Sequence, residues 1–274
     1  MSSESSIVDV NAWLGPWPFQ YFHDDTARHL ESRLAAEGIG HAMVGSPEAA
    51  FNPDCLAVNR LLLKRLKGSE TLHPVPALDP TKGDWRDILA LARDAGAAAV
   101  RLFPTYHCYD LSSGPALAAV EEIAKDGRFT LFLQVRMEDE RTHHPLCMIP
   151  SLEMSAISTL ASRFPGLSIA VLCPLFHEAV ELSQCPANVS FDIAYVETLR
   201  TIASLLQNVP ATRVLFGSHT PFLQPRAAVM KVEAPYVPAE ARKAIVSVNA
   251  RALVGHAFRP HQDAVKETRP WSLS

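Results

Sequence analysis

Short apolar runs of strand type recur along this chain, and each is followed by a stretch with helical spacing of its apolar residues. The runs cover 7–12, 40–45, 72–78, 98–103, 129–135, 168–172, 189–193 and 213–216. Several, such as 97–102, are apolar on both faces, as parallel strands covered by helices require. The intervening helices carry start and stop signals. Asp84 precedes Trp85, Ile88, Leu89 and Ala92 at helical spacing, and Gly96 stands where a left-handed cap is needed. Asp24 and Asp25 precede a helix through Ala27, Leu30 and Leu34, closed by Gly38, and Asn52 opens one through Leu56, Leu62 and Leu66, ending at Gly68. Eight β-then-α units predict an α/β fold, a single (β/α)8 TIM barrel spanning residues 1–274 as one domain.

The competing architecture is a doubly wound sheet, which binds nucleotides through a glycine-rich first turn. The turn after the first run is Asn11-Ala12-Trp13-Leu14-Gly15-Pro16-Trp17-Pro18-Phe19, aromatic and interrupted by prolines. Neither a phosphate-binding loop nor a G-x-S-x-G elbow occurs. The barrel is therefore preferred.

Composition narrows the function classes. A net charge of −4 gives no basic footprint for nucleic acid. No apolar run reaches the roughly 18 residues of a membrane span. Residues 1–6 lack the cationic and apolar regions of a signal peptide. Cys55, Cys108, Cys147, Cys173 and Cys185 are scattered, odd in number and without a C-x-x-C pair, which predicts reduced thiols and a cytoplasmic protein. A homo-oligomer stays open.

In such a barrel the chemistry sits at the C-terminal ends of the strands. Strand 1 brings Asn11 and Trp13 on the face of Asp9. Strand 4 brings Arg101, followed by Tyr106 and His107. Strand 5 brings Gln134 and Arg136, followed by Glu138, Asp139, Arg141, His143 and His144. Strand 6 ends at Cys173, and strand 8 at His219.

Three segments resemble the amidohydrolase-related branch of the amidohydrolase superfamily, which includes decarboxylases and lactonases. Ile7-Val8-Asp9-Val10-Asn11-Ala12-Trp13-Leu14-Gly15 is similar to the family's opening, with Asn11 and Trp13 where H-x-H would stand. Phe216-Gly217-Ser218-His219-Thr220-Pro221-Phe222 is similar to F-G-S-D-x-P, with His219 in place of the aspartate. Asn249-Ala250-Arg251-Ala252-Leu253-Val254 looks like the closing helix. The resemblance implies that relatives hold a divalent metal where this chain carries Asn11, Trp13, Gln134, Cys173 and His219. Asn and Gln are weak ligands for zinc, and Trp is none. The expectation is an absent metal site and no cofactor.

Metal-free catalysis exists among lactonases of this superfamily, and the replacements here are hydrogen-bonding groups. The resulting expectation is a metal-independent hydrolase or decarboxylase for a small anionic, carboxylated, lactone-like or ring substrate. His219, with an ordinary pKa of ~6.5, would be the general acid–base. Asn11, Gln134 and His107 would assist catalysis, and Arg101 and Arg136 would grip the anion. Tyr106 and Trp13 would contact the substrate. Two other readings stay open. One is a non-catalytic barrel binding an anion or a partner; the other is a rebuilt metal site using His107, His219 and Asp9.

Overall fold

The computed structural model describes residues 6–22, 26–143 and 148–258. Among these described residues eight strands alternate with helices in the predicted order. The strands are β1 (Ile7–Trp13), β2 (Ile39–Gly45), β3 (Leu72–Pro74), β4 (Ala99–Leu102), β5 (Thr130–Gln134), β6 (Ile169–Leu172), β7 (Val189–Asp192) and β8 (Val214–Leu215). Between them run α1 (Ala27–Ala35), α2 (Cys55–Leu66), α3 (Trp85–Asp94), α4 (Gly114–Asp126), α5 (Met154–Arg163), α6 (Phe176–Leu182) and α7 (Thr201–Leu205). After β8 come α8 (Pro225–Glu233), α9 (Ala239–Lys243) and α10 (Asn249–Val254).

All ladder pairings are parallel and sequential, β1 to β3 in one set and β4 to β8 in the other. Single bridges join the sets. Arg101 N donates to Pro76 O at 2.9 Å, and Leu78 N to Arg101 O at 3.0 Å. On the other side Val10 N donates to Phe216 O at 2.9 Å, and Trp13 N to Thr220 O at 2.8 Å. The barrel is closed.

Six strands, β3 to β8, are shorter than the apolar runs that announced them, and in two of them the backbone shows why. Pro74 and Pro76 have no N–H, so β3 stops pairing early. Phe216 N turns to Ile245 O at 3.0 Å, away from a strand partner, which trims β8. Helix starts also shift. Thr26 caps α1 through His29 N, while Asp24 and Asp25 lie outside the described residues. Asp54, and not Asn52, caps α2 through Ala57 N at 2.8 Å; Asn52 accepts from Asp54 N one turn earlier. Gly96, at φ +65°, closes α3 as expected, with Ala97 N reaching back to Ala92 O.

The barrel interior is divided by height. Its lower half is apolar, filled by Val8, Val10, Met43, Val75, Phe132 and Ala170 and closed beneath by Ala250 and Val254 of α10. Its upper half is polar. Asp9, Asn11, Arg101, Gln134, Asp192 and His219 all have no solvent exposure. No described helix is long and apolar enough to cross a membrane.

A sealed polar centre and an aromatic mouth

The strand-end residues expected at the site converge on the Cys173 sulfur. Asn11 Nδ2 donates to Cys173 Sγ at 3.1 Å, and Gln134 Nε2 at 3.3 Å. His219 Nδ1 stands 3.3 Å from the same sulfur. Trp13 Nε1, which can only donate, is 3.0 Å from His219 Nδ1. That contact makes Nδ1 an acceptor, so Nε2 carries the ring proton and donates to Met137 O at 2.7 Å. Both Cys173 and His219 hold left-handed backbone, at φ +63° and +55°.

This geometry corrects the acid–base role read for His219. Both ring nitrogens are engaged, the residue is fully buried, and desolvation pushes its pKa down to about 3, helped by the Arg101 charge. A neutral imidazole locked in one tautomer is a structural link. Burial likewise holds the Cys173 thiol well above its ordinary range.

The paired-arginine anion clamp is also corrected, in one of its two halves. Arg136 grips Glu178 of α6 bidentately, Nη1 to Oε2 at 2.7 Å and Nη2 to Oε1 at 2.5 Å, and also donates to Cys173 O. Both of its terminal nitrogens are engaged by the protein. Asp139, which follows β5, pairs with exposed Arg141. His107 lies away from the centre; its Nε2 donates to Ala49 O at 2.8 Å. His144 falls outside the described residues.

Arg101 is the exception. It is fully buried, yet Nε, Nη1 and Nη2 have no hydrogen-bond partner. Its guanidinium lies 3.8 Å from the Trp13 ring centroid, and Phe132 flanks it at 5.9 Å. Gly45 makes room for that stack: a Cβ there would lie 3.2 Å from Arg101 Nη1 and 3.1 Å from Trp13 Cζ3. Burial pushes the Arg101 pKa down to about 9, against the raising fields of Cys173, Asp192 and Asp9. Two acceptors of the same centre, Asn11 Oδ1 and Gln134 Oε1, are also unpartnered.

Two carboxylates complete the centre. Asp192, at the end of β7, accepts from Cys173 N at 2.8 Å and Asn11 Nδ2 at 2.7 Å, and burial raises its pKa to about 6. Gly217 leaves space for this carboxylate, since any Cβ there would collide with it. Asp9 accepts from Ser218 N at 3.0 Å and Asn11 N at 2.9 Å, and burial raises it to about 7. The end-of-strand rule that found the other positions also applies to Asp192, because Ser190 and Asp192 share a face of the seventh run. Glu178 carried no comparable signal.

Above the centre, Trp13 meets His219 and Phe222 edge to face, His219 and Phe222 lie tilted at 31°, and Tyr106 OH accepts from Met137 N at 2.8 Å. Over that floor opens a cavity of about 370 Å³ lined by Trp17, Phe19, Phe51, Tyr106, Glu138 and His143, among others. Trp13 faces down onto Arg101, while Tyr106 faces the cavity.

Asn11 and Gln134 turn N–H groups toward the sulfur, and Trp13 occupies the His219 nitrogen. Among the described residues no three His, Cys, Asp or Glu side chains gather as a ligand group.

The fold and this strand-end arrangement define a (β/α)8 barrel with a filled polar core. The 2,6-dihydroxybenzoate decarboxylase from Rhizobium superimposes with a TM-score of 0.71 at 14% identity, over 92% of this chain and 99% of that one. The 5-carboxyvanillate decarboxylase from Sphingomonas paucimobilis gives 0.72 at 11% identity, over 92% and 99%. A proposed 2-pyrone-4,6-dicarboxylic acid hydrolase from Pseudomonas putida gives 0.64 at 20% identity, over 92% and 98%. These likenesses establish the barrel fold. No protein-family model and no curated protein matches the chain.

Proposed function

We propose that residues 1–274 act as one amidohydrolase-like barrel, a hydrolase or decarboxylase that works on a small carboxylated ring compound without a catalytic metal. One observation carries this reading: the buried Arg101 guanidinium with unpartnered donors, beside the unpartnered carbonyls of Asn11 and Gln134. A guanidinium left this way inside a barrel is costly unless an anion meets it, and a carboxylate matches its fork bidentately. The structural neighbours include proteins described as acting on dihydroxybenzoate, carboxyvanillate and a pyrone dicarboxylate, and the same substrate chemistry is carried over here as a proposal.

In this reading Arg101 holds the carboxylate and Asp192 moves the proton. A carboxyl group with a pKa near 6 donates and accepts at neutral pH, and Asn11 fixes its orientation. Trp13 separates Arg101 from the mouth, so a substrate reaches the guanidinium only when the indole swings aside.

The test is a panel of hydroxybenzoates, pyrone carboxylates and lactones, read by thermal shift and by product release, with and without a chelator. Carboxylates are expected to raise the melting temperature of the wild type and of Asp192→Asn, and not of Arg101→Met. Turnover should survive chelation and vanish in Asp192→Asn, while Trp13→Ala should speed carboxylate binding. Stabilisation that is equal in Arg101→Met would overturn the anion site. The complete burial of the centre favours a second reading, a barrel that binds a carboxylate without turning it over; binding without product in every arm would select it.

A further inference from the structure

The mouth cavity has a chemistry of its own. Its walls are aromatic and steeply inclined to one another: Trp17 and Phe19 meet at 74° and 5.8 Å, Phe19 and Phe51 at 82° and 5.7 Å, Phe51 and Tyr106 at 73° and 5.5 Å. Among the described residues its lining carries the carboxylate of Glu138, with His143 beside it, and neither Lys nor Arg. Glu138 makes no ion pair among the described residues, whereas its neighbours Asp139 and Glu140 face Arg141 and Arg136. Ring faces carry negative charge, so inclined rings around an unpaired carboxylate favour a bulky, weakly hydrated cation. The nearest arginines add no net opposing charge, since Arg136 is neutralised by Glu178 and Arg141 by Asp139.

We propose that the mouth cavity formed by Trp17, Phe19, Phe51, Tyr106 and Glu138 is a subsite for an organic ammonium group, of the methylated kind. A volume of about 370 Å³ accommodates a trimethylammonium head with its first substituents. The inference leans on the proposed function only in taking the mouth as the way in, and it stands whether or not Arg101 binds a carboxylate.

The probe is choline, with its uncharged carbon isostere as control, titrated by calorimetry against the full chain. Choline is expected to bind, and the isostere about tenfold more weakly, because shape and apolar contact are kept while the charge is lost. Glu138→Gln, at a half-buried position, should weaken choline about tenfold and leave the isostere and the melting curve unchanged. Phe51→Leu should weaken choline by a similar factor, with an unchanged melting curve as the control for folding. Arg101→Met should bind choline as the wild type does, so loss of carboxylate binding and loss of ammonium binding are read in separate variants. No choline binding, equal binding of the isostere, or full affinity in Glu138→Gln would each overturn the proposal.

Discussion

Replacing Arg101 by methionine should make the protein more stable, and the size of the gain follows from the burial. Desolvation pushes the guanidinium to about 9, from an ordinary value of roughly 12.5. At about 1.4 kcal/mol per tenfold, that is on the order of 5 kcal/mol against the charged form. The Trp13 stack returns about 2 kcal/mol. The remainder, about 3 kcal/mol, is within the range in which apolar replacements of buried ions stabilise. Methionine has a similar length and no donors to satisfy, so Arg101→Met should melt about 6–9 °C above the wild type, at ~2–3 °C per kcal/mol for a chain of this size. The pH dependence has a definite sign. Between about 9 and the ordinary guanidinium value, the unfolded chain keeps a proton that the folded chain has released. Wild-type stability therefore rises with pH in that window, and the advantage of the variant, full at pH 8 and below, should shrink from pH 9 upward. Calorimetry of both proteins between pH 7 and pH 10 measures this difference directly. A variant that melts several degrees below the wild type would show that Arg101 has protein partners, and the anion-site argument would fall with it.

Two further perturbations probe the surroundings. Glu178→Ala strands the buried Arg136 guanidinium and should cost about 3–5 kcal/mol by denaturant titration, while the double change Glu178→Leu with Arg136→Met should recover most of it; an unaffected single variant would refute the pairing. His73, whose Nε2 stands 3.1 Å from His41 Nδ1, is pushed down to about 4 by burial. Its neutral form then favours the fold above pH ~6.5, and that contribution is lost as pH falls toward 4, opposite in sign to buried Asp9 and Asp192, whose raised values favour the fold on acidification. His73→Gln should therefore lose less stability than the wild type between pH 7 and pH 4.5; parallel curves would refute it.

The strands were legible because parallel strands in a barrel are buried on both sides, which writes them as continuous apolar runs. Their lengths were not. Pairing depends on whether a neighbour's N–H exists, as Pro74 and Pro76 show, or is taken by another element, as Phe216 N is by Ile245 O. Site positions were legible by the same geometry, since every strand end points to one rim, and Asn11, Arg101, Gln134, Cys173 and His219 do meet. What each would do there was not. The partner of Arg136 comes from the first turn of α6, where Glu178 also caps Leu175 N at 2.7 Å, and no spacing links residue 136 to residue 178. His107 follows β4 as Tyr106 does, but one step around the loop turns its ring to Ala49.

The chemistry of the centre turns on the single position held by Trp13. A histidine there would offer a ring nitrogen as acceptor or ligand; an indole offers one N–H and a large face. The N–H goes to His219 Nδ1 and fixes that ring's tautomer, which sends Nε2–H to the Met137 carbonyl. Met137 N in turn donates to Tyr106, so the backbone of one residue ties the sealed centre to the floor of the mouth. The face of the indole covers Arg101 and shields a charge that has no hydrogen-bonded partner. Asn11 and Gln134 then turn their amide N–H groups to the Cys173 sulfur, leaving both carbonyls unpartnered in the same centre as the guanidinium. Each of these side chains is thus matched to the others through a donor that meets an acceptor. Trp13→His alone would leave the amide N–H groups of Asn11 and Gln134 on the Cys173 sulfur and would uncover the arginine.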